Sequence, residues 1–177
     1  QEANAKIRSS EQCYRNLFQS MRDVIVMADP DRTILDVNQP ALRDLFGYET
    51  AEVVGKNTRF LYADDKSYLF AGREVFNSKG FVDGRLISVQ FMKKNGEVFT
   101  GELFALKLIA DDGRPSGNIG VIRDITSRKR AETDSARLWR VLEASLNEIY
   151  IFNPDTLRFE YVNAGALRNL GYSSEAI

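Results

Sequence analysis

An internal repeat is the feature that most constrains how this 177-residue chain can fold. Residues 20–26 (SMRDVIV) resemble residues 145–151 (SLNEIYI), and residues 41–45 (ALRDL) resemble residues 166–170 (ALRNL). The separation stays at about 125 residues along the match, which chance does not explain. The repeat therefore predicts one complete domain, a connecting helix and the start of a second copy. The predicted segments are an N-terminal amphipathic helix at 1–19, a domain at 20–127, a connector helix at 128–144 and a truncated second domain at 145–177.

Short apolar runs separated by turn-forming residues predict the secondary structure of the first copy. Two β-branched runs at residues 24–27 and 33–37 flank the turn DPDR, which indicates a hairpin. Short helices follow, including one over residues 66–77 with Leu69, Phe70, Val75 and Phe76 turned inward. Three longer β runs then form a meander with Asn95-Gly96 at its first turn. The prediction is an α+β fold: a five-stranded antiparallel sheet with helices on one face, flanked by N-terminal and C-terminal helices.

Both flanking helices carry a narrow apolar stripe. In residues 2–21 the apolar positions alternate between spacings of four and three, the pattern of one helix face. This stripe either packs on the domain's own sheet or joins two protomers, and the two alternatives stay open. The second helix, from residue 127 onward, has serines within its stripe and is at best a weak coiled coil. If the first stripe forms a homodimer, its interface residues are Ile7, Tyr14, Leu17 and Met21.

The absence of histidine excludes several functional classes at once. It removes Ser-His-Asp and Cys-His nucleophile pairs, histidine-ligated zinc, histidine-ligated haem and the phosphorylated residue of a histidine kinase. The single cysteine, Cys13, excludes an internal disulfide framework and a thiolate zinc site. The sequence also lacks a Gly-rich phosphate loop and a carboxylate pair with a supporting base. We therefore expect a non-catalytic regulatory fragment without a metal site.

Charge and hydropathy argue against nucleic acid and against a membrane span. Lys and Arg number 24 and Asp and Glu number 25, so the basic excess typical of a nucleic-acid binder is missing. No apolar run approaches the roughly 18 residues that span a bilayer, and the N-terminus has no apolar signal-peptide core. We expect a cytoplasmic fragment of a longer protein, without direct membrane contact of its own. The parent protein can still be membrane-anchored elsewhere.

A series of short motifs in fixed order resembles the PAS (Per-Arnt-Sim) family. The motifs are DPD at 29–31, Asn38, FGY at 46–48, VGKN at 54–57, KNG at 94–96, Gly120 and DIT at 124–126. The resemblance implies a five-stranded sheet that either encloses a pocket for a cofactor or small metabolite or is packed solid and used for dimerisation. It also implies tandem domains upstream of a histidine kinase of a two-component system, a diguanylate cyclase or a phosphodiesterase.

In PAS domains the DIT element links the sheet to the connector helix. The resemblance therefore assigns signal relay to Asp124 and Thr126, either of which also suits a helix N-cap without any signalling role. The leading hypothesis is a sensory module that binds a small ligand or dimerises. Its signal passes through the C-terminal helix to an output domain outside this sequence.

Residues 55–61 (GKNTRFL) resemble a signature of light-oxygen-voltage photoreceptors, a flavin-binding subgroup of the family. Thr58 stands where that signature has its reactive cysteine, and a threonine hydroxyl is too weak a nucleophile to add to a flavin ring. Other polar flavin contacts of the subgroup are replaced here by Tyr62, Gly101 and Ile122. The cofactor is therefore unknown, and a flavin-binding redox sensor without cysteine-adduct photochemistry is the disfavoured alternative function.

The predicted ligand-binding residues combine two polar side chains with an apolar wall. Asn57 and Arg59 remain from the flavin signature, and a guanidinium suits a phosphate. Their alternative roles are structural, as a turn cap and as an ion pair with Asp64 or Asp65. The apolar wall suits a small hydrophobic or aromatic ligand, although the same side chains also suit a solidly packed core. The full set is Asn57, Arg59, Phe60, Phe70, Leu86, Phe91, Phe104 and Ile122.

Overall fold

The computed structural model describes residues 2–76 and 84–171. They belong to two compact units, residues 1–126 and residues 127–177. The first unit contains α1 (Glu2–Ser20), β1 (Val24–Ala28), β2 (Ile34–Val37), α2 (Gln39–Phe46), α3 (Thr50–Val53), a 3₁₀ helix (Thr58–Leu61), α4 (Asp65–Ala71), a π-helical turn (Gly72–Phe76), β3 (Arg85–Met92), β4 (Val98–Ile109) and β5 (Pro115–Asp124). The remaining elements are α5 (Thr126–Ala144), β6 (Tyr150–Phe152), β7 (Phe159–Val162) and α6 (Ala164–Leu170).

The sheet of the first unit has the strand order β2-β1-β5-β4-β3, with every neighbouring pair antiparallel. The hairpin β1-β2 and the meander β3-β4-β5 meet where β1 pairs with β5, at Val26 opposite Gly120. The first and last strands of the domain are therefore adjacent at its centre. This architecture confirms the predicted five-stranded α+β fold with flanking helices.

Side chains alternate between the two faces of the sheet, as the period of a β-strand requires. On β4, Phe99, Leu103 and Ala105 are buried, whereas Val98 and Phe104 are exposed. The inner face packs against the helices between β2 and β3. Its centre is a cluster of aromatic rings whose centroids lie 5.0–5.9 Å apart, formed by Phe46, Tyr62, Phe91 and Phe99.

The helical segment after the 3₁₀ helix differs from its prediction. Instead of one helix over residues 66–77, α4 ends at Ala71 and a π-helical turn follows, while residue 77 lies outside the described part of the chain. Leu69 and Phe70 are exposed rather than inward, whereas Val75 is buried as predicted and Ala71 is buried as well. The side chain of Phe76, also predicted to point inward, lies outside the described residues. Asp64 caps the helix by accepting from the backbone N–H of Ser67, and this start sets which face meets the core.

The second unit consists of most of α5, the two-stranded hairpin β6-β7 and α6. None of the residues of α5 is buried. Trp139 packs edge-on against Tyr161 with ring centroids 4.9 Å apart. Within this unit, Asn163 and Ala166 are fully buried where α6 begins.

Candidate functional site

A small cavity of about 30 Å³ lies against the inner face of the sheet. Because one water molecule needs about 10–15 Å³ of such space, the cavity has room for a molecule of only a few non-hydrogen atoms. Most of its wall is apolar, with three polar side chains and one phenol. The lining residues are Val26, Ala28, Arg32, Thr58, Leu61, Tyr62, Leu103, Asn118, Gly120 and Ile122.

The guanidinium of Arg32 is the charged group of the cavity. Arg32 is only 8% exposed, which is rare for an arginine. Its Nη1 donates to the carbonyl oxygen of Tyr68 at 3.2 Å, and its Cζ lies 3.8 Å from the centroid of the Tyr68 ring and 5.3 Å from that of Tyr62. Cation–π contacts of this kind stabilise a positive charge away from water.

The backbone of Arg32 is held in a left-handed conformation with φ of 69°. Its N–H donates to the carbonyl oxygen of Asp29 at 3.0 Å, and its own carbonyl oxygen accepts from the N–H of Thr58 at 2.9 Å. The carboxylate of Asp29 accepts from the N–H of Thr33 at 2.8 Å. These bonds fix the DPDR turn so that the side chain of Arg32 enters the domain.

Three more polar groups accompany Arg32 in the cavity wall. The hydroxyl oxygen of Thr58 is buried and has no hydrogen-bond partner among the residues that the structure describes. The amide of Asn118 donates to the carbonyl oxygen of Asp29 at 2.8 Å. Burial raises the pKa of the Tyr62 phenol, and the positive charge of Arg32 opposes that rise. The cavity therefore combines one cation with neutral hydrogen-bonding groups.

Few of the predicted ligand-binding residues come together at this cavity. Ile122 lines it directly. Phe91 is fully buried in the aromatic cluster, and Phe60 is half-buried with its ring edge-on to Tyr48. Phe70 lies exposed on α4. The rings of Phe91 and Phe60 therefore contribute to packing, whereas the ring of Phe70 neither lines the cavity nor belongs to the core.

Leu86 and Phe104 lie on the outer face of the sheet. They are opposite each other in the β3-β4 pairing, and both are exposed. Since successive strand residues point to opposite faces, their neighbours Ile87 and Leu103 point inward instead. Leu86 and Phe104 therefore do not line the cavity. The prediction placed both side chains on the inner face of the sheet, whereas the residues that point inward are one position away.

Asn57 and Arg59 lie at the start of the 3₁₀ helix, on the surface. Asn57 caps this helix by accepting from the N–H of Arg59 at 3.0 Å, and its amide donates to the carbonyl oxygen of Asp31 at 2.9 Å. Arg59 forms an exposed ion pair with Asp65 at 2.5 Å. Both therefore have the structural contacts that the sequence offered as the alternative to ligand binding.

The residues around the cavity do not fit a flavin. Pockets for cofactors of that size have volumes of about 300–1,000 Å³, ten times the space found here or more. The ring of Phe91 occupies the room above Gly101, where a Cβ atom would lie only 2.6 Å from its Cδ2. Aromatic side chains of the described core thus fill the space that the ring system of a flavin would need.

Ile122 is the one lining residue that belongs to the predicted ligand-binding set, and Arg32 and Asn118 are polar lining residues that the sequence did not reveal. Arg32 belongs to a polar turn, where an arginine is ordinarily solvated, and Asn118 begins the inner face of β5 near a turn. Only the tertiary structure shows that both side chains are buried. The one local signal is that a left-handed turn position, which favours glycine, carries a long charged residue.

Asp124 and Thr126 connect the sheet to the beginning of α5. The carboxylate of Asp124 accepts from the N–H of Thr126 at 2.7 Å, which is the contact of an Asx turn directly before the helix. The hydroxyl oxygen of Thr126 accepts from the N–H of Thr100 on β4 at 3.3 Å. Ile125 between them is buried, and its N–H donates to the carbonyl oxygen of Thr100 at 3.0 Å.

The predicted interface stripe of α1 is exposed in the single chain. Ile7, Tyr14, Leu17 and Met21 are each at least half exposed. Phe18, near the end of α1, is buried and stacks on Tyr14 with ring centroids 5.7 Å apart. The end of α1 is therefore attached to the domain while its apolar stripe remains accessible.

Among the described residues, no group of three or more His, Cys, Asp or Glu side chains is placed to hold a metal ion. Within residues 2–76 and 84–171, no helix has both the length and the apolar character that crossing a membrane requires.

Known proteins share this fold and parts of this sequence. The chain is 24% identical over 149 residues to the methanogenesis regulatory histidine kinase FilI of Methanothrix harundinacea, covering 83% of this chain and 16% of that protein. It is 32% identical over 131 residues to a blue-light-activated histidine kinase of Rhizobium johnstonii, covering 71% of this chain and 36% of that protein. The chain thus spans only a minor part of the curated relatives that it matches.

Solved structures also match this chain. An RNA-binding light-oxygen-voltage receptor superimposes with a TM-score of 0.60 at 25% identity, covering 73% of this chain and 37% of that chain. The PAS domain of an HTR-like protein from Haloarcula marismortui superimposes with a TM-score of 0.58 at 19% identity, covering 70% of this chain and 98% of that chain. The sequence profile of the PAS domain matches residues 22–127 and 147–177, well over half of the chain. This chain therefore belongs to the PAS domain family.

Proposed function

We propose that this chain is a sensory relay module that dimerises through α1 and passes a change in its sheet through Asp124 and Thr126 into α5. The output domain lies outside this sequence, and a histidine kinase is the form that the named relatives suggest. In this role the chain regulates and does not itself catalyse. The parent protein would present the module to the cytoplasm.

The hydrogen bonds at the start of α5 carry the proposal. Thr126 is the first residue of the helix, and its hydroxyl binds the backbone of the neighbouring strand β4. Ile125 makes the adjacent bond to the same residue, Thr100. Because β4 and β5 also border the cavity, a displacement of these strands changes the position of the first turn of α5 directly.

The relay is tested by removing the hydroxyl of Thr126 in the parent protein. We expect Thr126→Val to alter output activity and to increase hydrogen exchange at the amide of Thr100, since that N–H loses its acceptor. Thr133→Val is the matched control, because its hydroxyl donates only to the carbonyl oxygen of Lys129 on the same helix. Equal output activities for the two variants and the wild-type protein would contradict the relay.

The dimer is tested on the present chain by sedimentation equilibrium. Leu17→Glu places a charge in the exposed apolar stripe, and we expect it to convert a dimer into a monomer. Gln12→Glu changes an exposed residue outside that stripe and should leave the dimer intact. A wild-type chain that is monomeric at high concentration would exclude dimerisation through α1.

A flavin-binding redox sensor is the second candidate. It is favoured by the blue-light-activated kinase and the light-oxygen-voltage receptor among the similar proteins. The size of the cavity argues against it. An absorption spectrum of the purified chain decides the question: a visible flavin band, with a flavin released on denaturation, would replace the first proposal for the input site.

We also propose that residues 145–177 are the start of a second PAS domain, with segments as predicted at 1–19, 20–127, 128–144 and 145–177. The profile match to residues 147–177 supports this organisation. So does the similar hydrogen bonding of Asn38 and Asn163. Expression of residues 128 onward together with the following part of the parent protein should give an independently folded domain, detectable as a separate cooperative unfolding transition.

A further inference from the structure

The cavity is an apolar pocket with a buried guanidinium in its wall, and this combination is selective for one kind of ligand. We propose that it binds a small planar oxyanion, a carboxylate or an inorganic anion of the same shape, through Arg32. The proposal names the ligand class of the sensory module proposed above and rests on it. It replaces the hydrophobic or aromatic ligand that the sequence suggested.

The shape of the guanidinium supports a planar anion. Arginine presents its N–H donors in a flat fork that matches the two oxygen atoms of a carboxylate. The Tyr68 ring lies against the Arg32 guanidinium at 3.8 Å, and the Tyr62 ring is 5.3 Å away. These contacts restrict the orientation of the fork. Gly72 adds room beside it, because a Cβ atom there would lie 3.2 Å from Nη1.

Neutral donors are available on the same wall. The hydroxyl of Thr58 is buried beside the cavity without a partner in the described part of the chain, and a hydroxyl can donate to an anion. The amide nitrogen of Asn118 carries two hydrogen atoms, of which the carbonyl oxygen of Asp29 accepts one. An anion would therefore find charge-assisted and neutral hydrogen bonds within one small volume.

The volume of the cavity limits the size of the anion. Space for two or three water molecules corresponds to a ligand of about three or four non-hydrogen atoms, the size of formate, acetate or nitrate. An apolar cavity that holds a benzene ring has about 150 Å³, far more than the 30 Å³ found here. Aromatic ligands are therefore too large for the cavity in this conformation.

The backbone conformation of Arg32 is consistent with a ligand-binding role. A non-glycine residue at φ of 69° is uncommon and costs conformational energy. Glycine would relieve that cost but would remove the guanidinium. Strained residues of this kind concentrate at functional sites. Leu157 in the β6-β7 turn also has a positive φ, of 55°, but Arg32 is the one of the two that supplies a charge.

The test measures binding to the present chain by thermal unfolding and by NMR titration of the backbone amides. The probes are formate, acetate and nitrate, with sodium chloride at equal ionic strength and the neutral isostere acetamide as controls. We expect a saturable rise in the unfolding midpoint with at least one oxyanion, as for any ligand that binds only the folded state. Formate or acetate alone would identify a carboxylate, and nitrate alone an inorganic anion.

Variants separate the cavity from nonspecific ion effects. Arg32→Gln should weaken binding by about tenfold or more, and Thr58→Val by about threefold to tenfold. Arg43→Gln is the matched control, because Arg43 is exposed and paired with Glu49, and it should bind as the wild type does. Should Arg32→Gln fail to fold, Thr58→Val decides.

Three results would overturn the proposal: no response beyond chloride, an equal response to acetamide, or unchanged affinity in Thr58→Val and in any folded Arg32→Gln. These readouts do not involve α5 or the dimer. A failure here therefore leaves the relay and dimer tests standing. A failure of those tests is distinguishable from it, because binding at the cavity is measured separately.

Discussion

The two asparagines that precede α2 and α6 make nearly the same hydrogen bonds. Their surroundings differ, because the first unit has a five-stranded sheet and the second unit has a sheet of two described strands. Asn38 accepts from the N–H of Ile25 at 2.7 Å and donates to the carbonyl oxygens of Met21 and Asp23. Asn163 accepts from the N–H of Ile149 at 3.0 Å, and its donor contacts include the carbonyl oxygen of Asn147. Both asparagines are fully buried. This local network thus joins the residues before each hairpin, the hairpin and the helix that follows it.

The two regions differ in how far the side chains of the neighbouring strands are buried. Val24 and Val26 on β1 are buried because β5 pairs alongside and the helices cover the inner face. On β6 and β7, Ile151, Phe152 and Phe159 remain exposed, since the sheet of that unit has two described strands. A two-stranded hairpin is marginal in water. The comparison shows that the asparagine network determines local geometry, while stability depends on the meander.

The largest expected difference between the two units comes from truncating an aromatic residue in each. Phe91→Ala removes the centre of the aromatic cluster and should lower the free energy of unfolding of the first unit by about 3–5 kcal/mol. Phe159→Ala removes an exposed ring from β7 and should change the same transition by less than about 0.5 kcal/mol. Urea denaturation followed by far-UV circular dichroism measures both. Similar losses would mean that β7 is packed as tightly as β3.

A smaller difference is expected for the two asparagines. Asn38→Ala leaves the N–H of Ile25 and the two carbonyl oxygens buried without their partner, which should cost about 2–4 kcal/mol. Asn163→Ala removes equivalent bonds, yet its effect on the main unfolding transition should stay below about 1 kcal/mol, because the second unit contributes little to that transition. Hydrogen exchange at the amides of Ile25 and Ile149 gives the local counterpart. Equal global losses would show that the two units unfold together.

The sequence predicted the sheet, but it aligned the first strand of the repeat one residue out of register, without an additional residue in the second hairpin. The match of SMRDVIV with SLNEIYI places Val26 on Ile151, whereas the pairings show that Tyr150 holds the place of Val26 opposite Val162. The additional residue therefore lies in the hairpin turn. A shift by one residue moves a side chain to the other face of a strand, and apolar identities alone do not reveal it.

The candidate site was less predictable than the fold, because here too the sequence does not show which face of a strand a given side chain occupies. Leu86 and Phe104 are as apolar as Val89 and Leu103, yet only the latter pair is buried. Leu86 and Phe104 are apolar positions on an outer face that also carries Ser88 and Gln90 on β3 and Thr100 and Glu102 on β4, so the alternation fails at these two positions. Arg32 posed the opposite problem, because its burial depends on Tyr62 and Tyr68, which are distant in sequence.

The smallest expected effect concerns two carboxylates, one in each unit. In the capping box of α3, the backbone N–H of Glu49 and then the ammonium of Lys94 lower the pKa of Glu52. In the second unit, the amide of Asn169 and then the phenol of Tyr150 lower the pKa of Glu148. Both ionised carboxylates stabilise the folded chain above the unfolded-state pKa of glutamate, and that stabilisation is lost as the pH falls through the lowered folded-state values.

Because the first cause is a backbone donor for Glu52 but a side-chain donor for Glu148, substitutions should affect the two pKa values differently. Lys94→Met should raise the pKa of Glu52 only part of the way to its ordinary value, since the Glu49 N–H remains in place. Asn169→Ala should return the pKa of Glu148 more completely, because its principal donor is gone. NMR titration of the carboxyl carbons measures both values. Complete recovery at Glu52 would mean that the lysine, rather than the capping box, holds that carboxylate in its ionised form.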